Sequence, residues 1–443
     1  MTTLGSFGGV ATPSARQVAL PDALAAFRSG RVNGDRFLAY GNGRSYGDSC
    51  LLRDGRLITM GSHRRILDFD PETGLIRAEA GVMLSQIIER VAPHGWFLPV
   101  TPGTKFVTLG GAVANDVHGK NHHVRGTFGG HVEHIVLMSS DGTVHELPDG
   151  EASGLFAATV GGMGLTGLIL EVTLRLMRVP GINIEEQAIP FSNLDGFFEL
   201  CDEVDANFEY AVAWIDQLAS GAKAGRGVML AGRHCDDGDF AVRSHKPLVS
   251  VPFAMPFNML NRPAIGAFNR LYGFAKSRKK GLNRVNYDSY FYPLDAVGHW
   301  NRLYGPRGFF QHQSVIPEDA ARETVPRLLA RARDEGFASF LTVLKRFGTT
   351  TSPGLLSFPR RGYTLTLDFP NKGWKTNALL SVLDGITVGA GGAVNPYKDA
   401  RMSPETFKRS FPGWERLEAL RDPAFLSDFW RRTALEARIS GGV

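Results

Sequence analysis

Residues 103–131 read GTKFVTLGGAVANDVHGKNHHVRGTFGGH. Glycines, four histidines, two lysines and an arginine crowd into this stretch. Glycine adds no side chain to a core and destabilises the interior of helices and strands. The stretch therefore reads as irregular backbone that approaches another body closely, with imidazole and ammonium groups beside it. Three explanations compete on these residues alone: metal ligation, satisfied structural histidines, and an anionic or electron-accepting cofactor. His118 and His122 would share one face of a helix, but Gly119 argues against a regular helix, and Asp116 is the one carboxylate close by.

A second glycine-rich turn lies upstream. Residues 36–40 (RFLAY) read as a short buried strand that runs into Gly41, Asn42, Gly43, Arg44, Ser45, Tyr46, Gly47, Asp48 and Ser49. Successive backbone N–H groups in such a turn form a concave anion site, to which Arg44 or a hydroxyl adds charge or a hydrogen bond. The spacing fits neither a Walker A loop nor GxGxxG. A plain structural turn explains the same residues.

Around these loops the pattern is mixed. Segments 56–60, 65–70 and 75–80 read as strands. Leu84, Ile87, Ile88 and Val91 fall at helical spacing and stop before Pro93 and Gly95. Residues 134–147 read as a hairpin turning at Asp141-Gly142, and 168–177 as a strand. Pro180-Gly181 marks the first candidate boundary. Beyond it, helices are expected at 190–204, 317–336 and 376–386, with strands at 210–216 and 337–347. The expected class is α+β with helices on one face of a sheet.

The chain has 443 residues, 43% of them hydrophobic, and a formal net charge of +5. That length supports two or three domains. The charge excess is too small and too local for a nucleic-acid footprint, so no nucleic-acid partner is expected. Three widely spaced cysteines and no CxxC argue against a disulfide framework or a zinc site, and no metal is expected. The first residues lack a secretory pattern, and no uninterrupted apolar run of membrane-spanning length occurs.

One segment stands apart. Between Asp239 and Asp288 there is no acidic residue, while residues 249–284 mix prolines, aromatic residues and methionines with Arg262, Arg270, Lys276, Arg278, Lys279, Lys280 and Arg284. Apolar groups beside a polybasic run describe a peripheral membrane contact. A buried helix followed by a solvated basic loop is the alternative. The prolines at 252, 256 and 263 argue against an ordinary core helix.

GRSYGD (43–48), HGKNHH (118–123), VGGMGLTG (160–167), SFP (357–359), DFP (368–370) and KDAR (398–401) occur in that order. Together with the Pro102-Gly103-Thr104 turn, this set resembles the FAD-linked oxidases of the vanillyl-alcohol oxidase class. Within the class it is most similar to the flavoprotein (oxidase) subunits of decaprenylphosphoryl-β-D-ribose 2-epimerases. The resemblance covers nearly the whole chain. It implies an FAD-binding domain of two subdomains (PCMH-type) over 1–180, an α+β substrate domain with an antiparallel sheet over 181–390, and a C-terminal segment, 391–443, that returns to the FAD-binding domain.

The resemblance also implies roles. Gly41, Asn42, Gly43, Arg44, Ser45, Tyr46 and Gly47 fall where the family cradles the pyrophosphate. Gly103, Thr108, Gly110, Gly111, Asn115, Asp116, Val117, His118, Ile169 and Asn395 fall at further FAD contacts. Many relatives bond the flavin through a histidine in the first glycine loop. Arg44 stands there in this chain, which implies non-covalent FAD. Lys398, His118, Lys120 and Tyr46 are the implied catalytic residues, and Trp214, Gln311, Gln313, Thr366 and Lys398 the implied substrate contacts. On its residues alone Trp214 reads more readily as core, and Lys398 reads also as a surface partner of Asp399. Two departures stand out: Thr366 occupies a place where mycobacterial family members carry cysteine, and Asn395 one where an aromatic residue is usual.

The activity implied is oxidation of the 2-hydroxyl of a polyprenylphosphoryl-β-D-ribose, the first half of an epimerisation that serves cell-wall or glycan arabinose biosynthesis. An NADH-dependent short-chain reductase partner and a cytoplasmic location with peripheral contact at the inner membrane accompany it. The alternatives are an aldonolactone or alditol oxidase that uses oxygen, and a membrane-peripheral flavin-binding scaffold.

Overall fold

The structure is a computed structural model that describes residues 4–14, 16–32, 34–242, 247, 249–278 and 280–436. Lys279 of the basic run, and the ends of the expected first and last segments, lie outside the described residues.

Three sheets organise the chain. The strands Gln17–Ala19, Arg56–Thr59 and Phe37–Tyr40 form a parallel sheet in that spatial order. An antiparallel sheet runs Ile66–Asp70, Leu75–Glu79, Leu168–Arg175, Val132–Met138, Val144–Pro148. The helix Leu84–Val91 forms as its spacing dictates, burying Leu84, Ile87, Ile88 and Val91. The hairpin closes through Gly142 at φ 86°, and the Thr143 N–H donates to Asp141 Oδ1 at 2.9 Å.

The third sheet has eight strands, all antiparallel to their neighbours. Its order is Leu282–Val285, Ile184–Phe191, Gly227–His234, Tyr210–Ile215, Val343–Phe347, Gly362–Pro370, Phe309–Ile316, Ala393–Val394. Side chains alternate between its two faces. Ala213, Leu344, Leu365 and Leu367 point to one face, where they pack with Phe197, Leu328 and Leu380 of the helices Leu194–Asn207, Glu318–Asp334 and Trp374–Gly389. The opposite face carries Val212, Trp214, Val228 and Leu230 at one end. At the other end it carries Gln311 and Gln313, with Asp368 and Thr366 directly opposite them on the neighbouring strand.

Several expectations shift in register. The first of these helices starts at Leu194 rather than 190, because Pro190 still pairs with Val228 in the sheet. Asn193 caps it, its side chain accepting from the Gly196 N–H. The strand expected over 337–347 is confined to Val343–Phe347. The Phe337 N–H closes back on the Ala332 carbonyl at 3.0 Å, and 337–342 form a loop. Within the glycine-rich stretch, Leu109–Ala114 is a short helix after all, with Thr108 Oγ1 accepting from the Gly111 N–H. Glycine serves there for proximity: a Cβ at Gly110 would lie 2.8 Å from that of Ala80.

Residues 249–284 contain a helix in spite of their prolines. Arg262–Ser277 is a helix with Pro263 in its first turn, where proline is tolerated; Pro252 and Pro256 precede it. Its inner face sets Tyr272 on Trp214, with ring centroids 5.0 Å apart, and joins Asn269 to Asp216 and Lys276 to Glu186. Phe268, Leu271 and Phe274 point outward.

Candidate active site

Both glycine loops and the polar end of the large sheet line one cavity of about 490 Å³. The first loop is held by the backbone: the Phe7 N–H donates to the Ser45 carbonyl, the Tyr46 N–H to the Tyr397 carbonyl, and Asn42 Nδ2 to the Phe106 carbonyl. A Cβ at Gly41 would sit 2.4 Å from Thr108 Oγ1, so only glycine lets the two loops touch. Gly47 is packed away from the cavity, against Asp399, where a Cβ would fall 1.4 Å from the carbonyl oxygen. These two contacts bring the Tyr46 ring beneath Lys398, whose Nζ lies 4.0 Å from the ring centroid.

The second loop turns at Asp116, a non-glycine residue at φ 39°. Its carboxylate accepts from the Gly129 N–H at 2.8 Å, from Ser352 Oγ at 2.5 Å and from Ser357 Oγ. Those three donors absorb its oxygens, so Asp116 anchors the loop and thereby places Val117 and His118. Gly103, Thr108, Gly110, Gly111, Asn115, Ile169 and Asn395 also line the cavity.

At the sheet end, a chain of polar groups runs through His118. Gln313 Nε2 lies 3.0 Å from His118 Nε2 and donates to Thr364 Oγ1, and Asn395 Nδ2 donates to Gln313 Oε1 at 2.9 Å. Lys345 Nζ lies 3.3 Å from His118 Nδ1 and donates to the Gly119 carbonyl. Burial, reinforced by the Lys345, His122 and Lys398 charges, holds the imidazole well below its usual range, so His118 is neutral. Burial also brings Lys345 down to about 7, helped by the Lys120 and Lys398 charges. Lys398 comes down to about 8 by burial, opposed by the charge of Asp368. Neutral amine is therefore accessible near physiological pH at two lysines that line the cavity.

Tyr46, His118, Gln311, Gln313, Thr366 and Lys398 thus meet in the cavity. Lys120 and Trp214 do not line it. Lys120 Nζ turns to the Tyr290 carbonyl, 4.3 Å from the centroid of that ring, and its enclosure lowers it to about 7. Trp214 packs under the basic helix. Lys345 was missed from the sequence, where Arg346 beside it in VLKRF masks the signal.

The cavity wall fits a dinucleotide with a flavin. Arg44 Nε and Ser49 Oγ are buried there without a hydrogen-bond partner among the described residues. A Cβ at Gly103 would meet nothing within 4 Å, which leaves bare backbone facing open space. Buried polar groups are normally satisfied, so orphaned donors around a glycine cradle suit an anionic group.

Residues 21–148 match the family described as FAD binding domain. The chain is 35% identical over 429 residues to decaprenylphosphoryl-β-D-ribose oxidase of Mycolicibacterium smegmatis, covering 93% of this chain and 92% of that one. It is 36% identical to an uncharacterised Streptomyces coelicolor protein, over 80% of this chain and all of the relative. Similarity to mouse L-gulonolactone oxidase is 32% over 171 residues, 38% of this chain and 37% of the relative.

Proposed function

We propose a reaction for this chain from one premise: it belongs to the decaprenylphosphoryl-β-D-ribose oxidase family of FAD-dependent oxidoreductases, with an α+β fold and FAD as its cofactor. The reaction is oxidation of the 2-hydroxyl of a polyprenylphosphoryl-β-D-ribose to the 2-ketone. The observation that carries it is the pair of lysines, Lys345 and Lys398, that line the same cavity as Gln311 and Gln313. One cation can hold a phosphoryl group while the other amine takes a proton; an uncharged lactone needs no such pair.

Bound FAD supplies a two-electron acceptor for hydride from the carbon bearing the hydroxyl. The chain supplies position and proton handling. Arg44, Ser49 and the backbone of the two glycine loops hold the pyrophosphate. Arg44 has no ring nitrogen, so the covalent bond that many relatives form to the flavin at this position would not form here, which favours non-covalent FAD. Lys398, as the neutral amine, accepts the hydroxyl proton; Lys345 faces the phosphoryl group, whose negative charge favours the protonated lysine and raises it above its ligand-free value of about 7. Gln313 and neutral His118 orient the sugar, and Tyr46 sets the height of Lys398. Thr366 shapes the wall between them. Stoichiometric peroxide from L-gulonolactone, with no oxidation of prenylphosphoryl ribose, would overturn this reading in favour of a lactone oxidase.

A ketone product requires a reductant, and an NADH-dependent short-chain reductase fits as partner. A lipid-linked substrate also gives the basic helix a task. Leu271 is 70% exposed and Phe253, Phe257 and Phe274 are exposed nearby, on a segment without acidic residues. Among the described residues no helix is long and apolar enough to cross a membrane. Peripheral contact with an anionic lipid surface fits these groups. Replacing Phe268, Leu271 and Phe274 by serine should abolish sedimentation with anionic vesicles; unchanged sedimentation rules the contact out.

A further inference from the structure

We propose that Asp368, which lies just beyond the cavity wall, is a positioning residue: it is the buried counter-charge to Lys398 and fixes the Gln311–Tyr46 edge on which Lys398 rests. The proposal rests on the role of Lys398 as the base of the proposed oxidation.

Four observations carry it. Asp368 is opposite Gln311 in the sheet register, on the face that also presents Thr366 and Gln313 to the cavity. The carboxylate is therefore the next member of the site's own row of side chains. Gln311 Nε2 donates to Asp368 Oδ1 at 2.6 Å, and Gln311 lines the cavity with Tyr46 and Lys398, whose Nζ lies 4.0 Å from the Tyr46 ring centroid. The backbone N–H of Asp368 donates to Ser339 Oγ at 2.9 Å, which fixes the strand at that residue. Finally, Asp368 is 0% exposed, and its Oδ2 has no hydrogen-bond partner among the described residues.

A buried carboxylate with one oxygen unsatisfied is expensive, and such groups are ordinarily paired. No ion pair within 4 Å is formed by Asp368 among the described residues. The groups facing it electrostatically are Lys398, Tyr46 and Tyr304. Of these, Lys398 alone is cationic. Burial brings Asp368 up to about 7 against the pull of Gln311 and Lys398, and Lys398 stands at about 8 with Asp368 opposing its fall, so the ionisation of each bears on the other. Tyr304 OH is likewise buried without a hydrogen-bond partner among the described residues, so the Gln311 amide and the Lys398 charge are what favour the ionised Asp368.

The test reads Lys398 directly and needs no substrate. FAD-loaded wild-type protein and Asp368→Asn are labelled with trace acetic anhydride across pH 6–10, and the extent of Lys398 acetylation is measured by peptide mass spectrometry. Asparagine keeps an acceptor for Gln311 and removes the charge. The expected result is a downward shift of the Lys398 midpoint by roughly one pH unit, with FAD content and flavin spectrum unchanged. An unmoved midpoint in the loaded variant overturns the proposal. Should Asp368→Asn fail to fold, Lys398→Met gives the reciprocal test. Infrared difference spectra should then show a buried carboxylic-acid band persisting to higher pH than in wild type; an unchanged band overturns the proposal. Failure of the substrate to reduce the flavin would instead sink the proposed sugar oxidation and leave this measurement intact.

Discussion

Replacing Lys398 by methionine keeps the bulk of the side chain over Tyr46 and removes the amine. In the wild type, burial holds Lys398 at about 8. The amine is active when deprotonated, so activity must rise with pH. About one molecule in ten carries the neutral amine at pH 7 and about nine in ten at pH 9, which predicts a roughly tenfold rise in the rate of the reductive half-reaction between them. Loss of the base should cost ~10²–10⁴-fold in that rate and flatten this limb of the profile. Stopped-flow mixing without oxygen, at saturating substrate, separates the rate from affinity. Saturation matters because Lys345, at about 7, loses charge over the same range and weakens phosphate binding. A profile already flat in wild type refutes the base assignment. A Lys398→Met enzyme with weakened affinity and an unchanged limiting rate refutes it too, and makes Lys398 the phosphate ligand.

Three further outcomes test the supporting structure. Gly47→Ala places a Cβ 1.4 Å from the Asp399 carbonyl oxygen; it should destabilise the fold by roughly 3 kcal/mol, the upper end for overpacking, and lower FAD retention, as read by thermal unfolding and flavin absorbance. Asp288→Asn leaves Lys105 buried without its carboxylate, now 2.5 Å away; urea unfolding should show a loss of about 3–5 kcal/mol. Iodoacetamide should leave the native holoprotein unmodified in the cavity at pH 7.5, because Thr366 offers no thiol and burial pushes Cys50 up to about 12; an alkylated Cys50 peptide contradicts that.

What the sequence revealed follows from how local each signal is. The helix Leu84–Val91 was legible because its apolar spacing is complete within eight residues. Tyr46, Gln311, Gln313 and Lys398 converge although they come from three distant parts of the chain, and only the resemblance brought them together in advance. Composition misjudged the 103–131 stretch as wholly irregular, since its glycines also let a short helix pack on Ala80. Lys120 and Trp214 show the limit. Sequence cannot tell that Lys120 turns to the Tyr290 carbonyl, or that Trp214 is covered by Tyr272. Asp368 was readable in principle as the one charged residue in the strand Gly362–Pro370, whereas Lys345 is masked by Arg346 beside it in Val343–Phe347.

The most direct test of the proposed oxidation is a single anaerobic mixing of FAD-loaded protein with prenylphosphoryl-β-D-ribose, followed at the long-wavelength flavin band. Stoichiometric bleaching and recovery of the 2-keto sugar are the predicted result. An unbleached flavin with this substrate, alongside bleaching by L-gulonolactone, would contradict it.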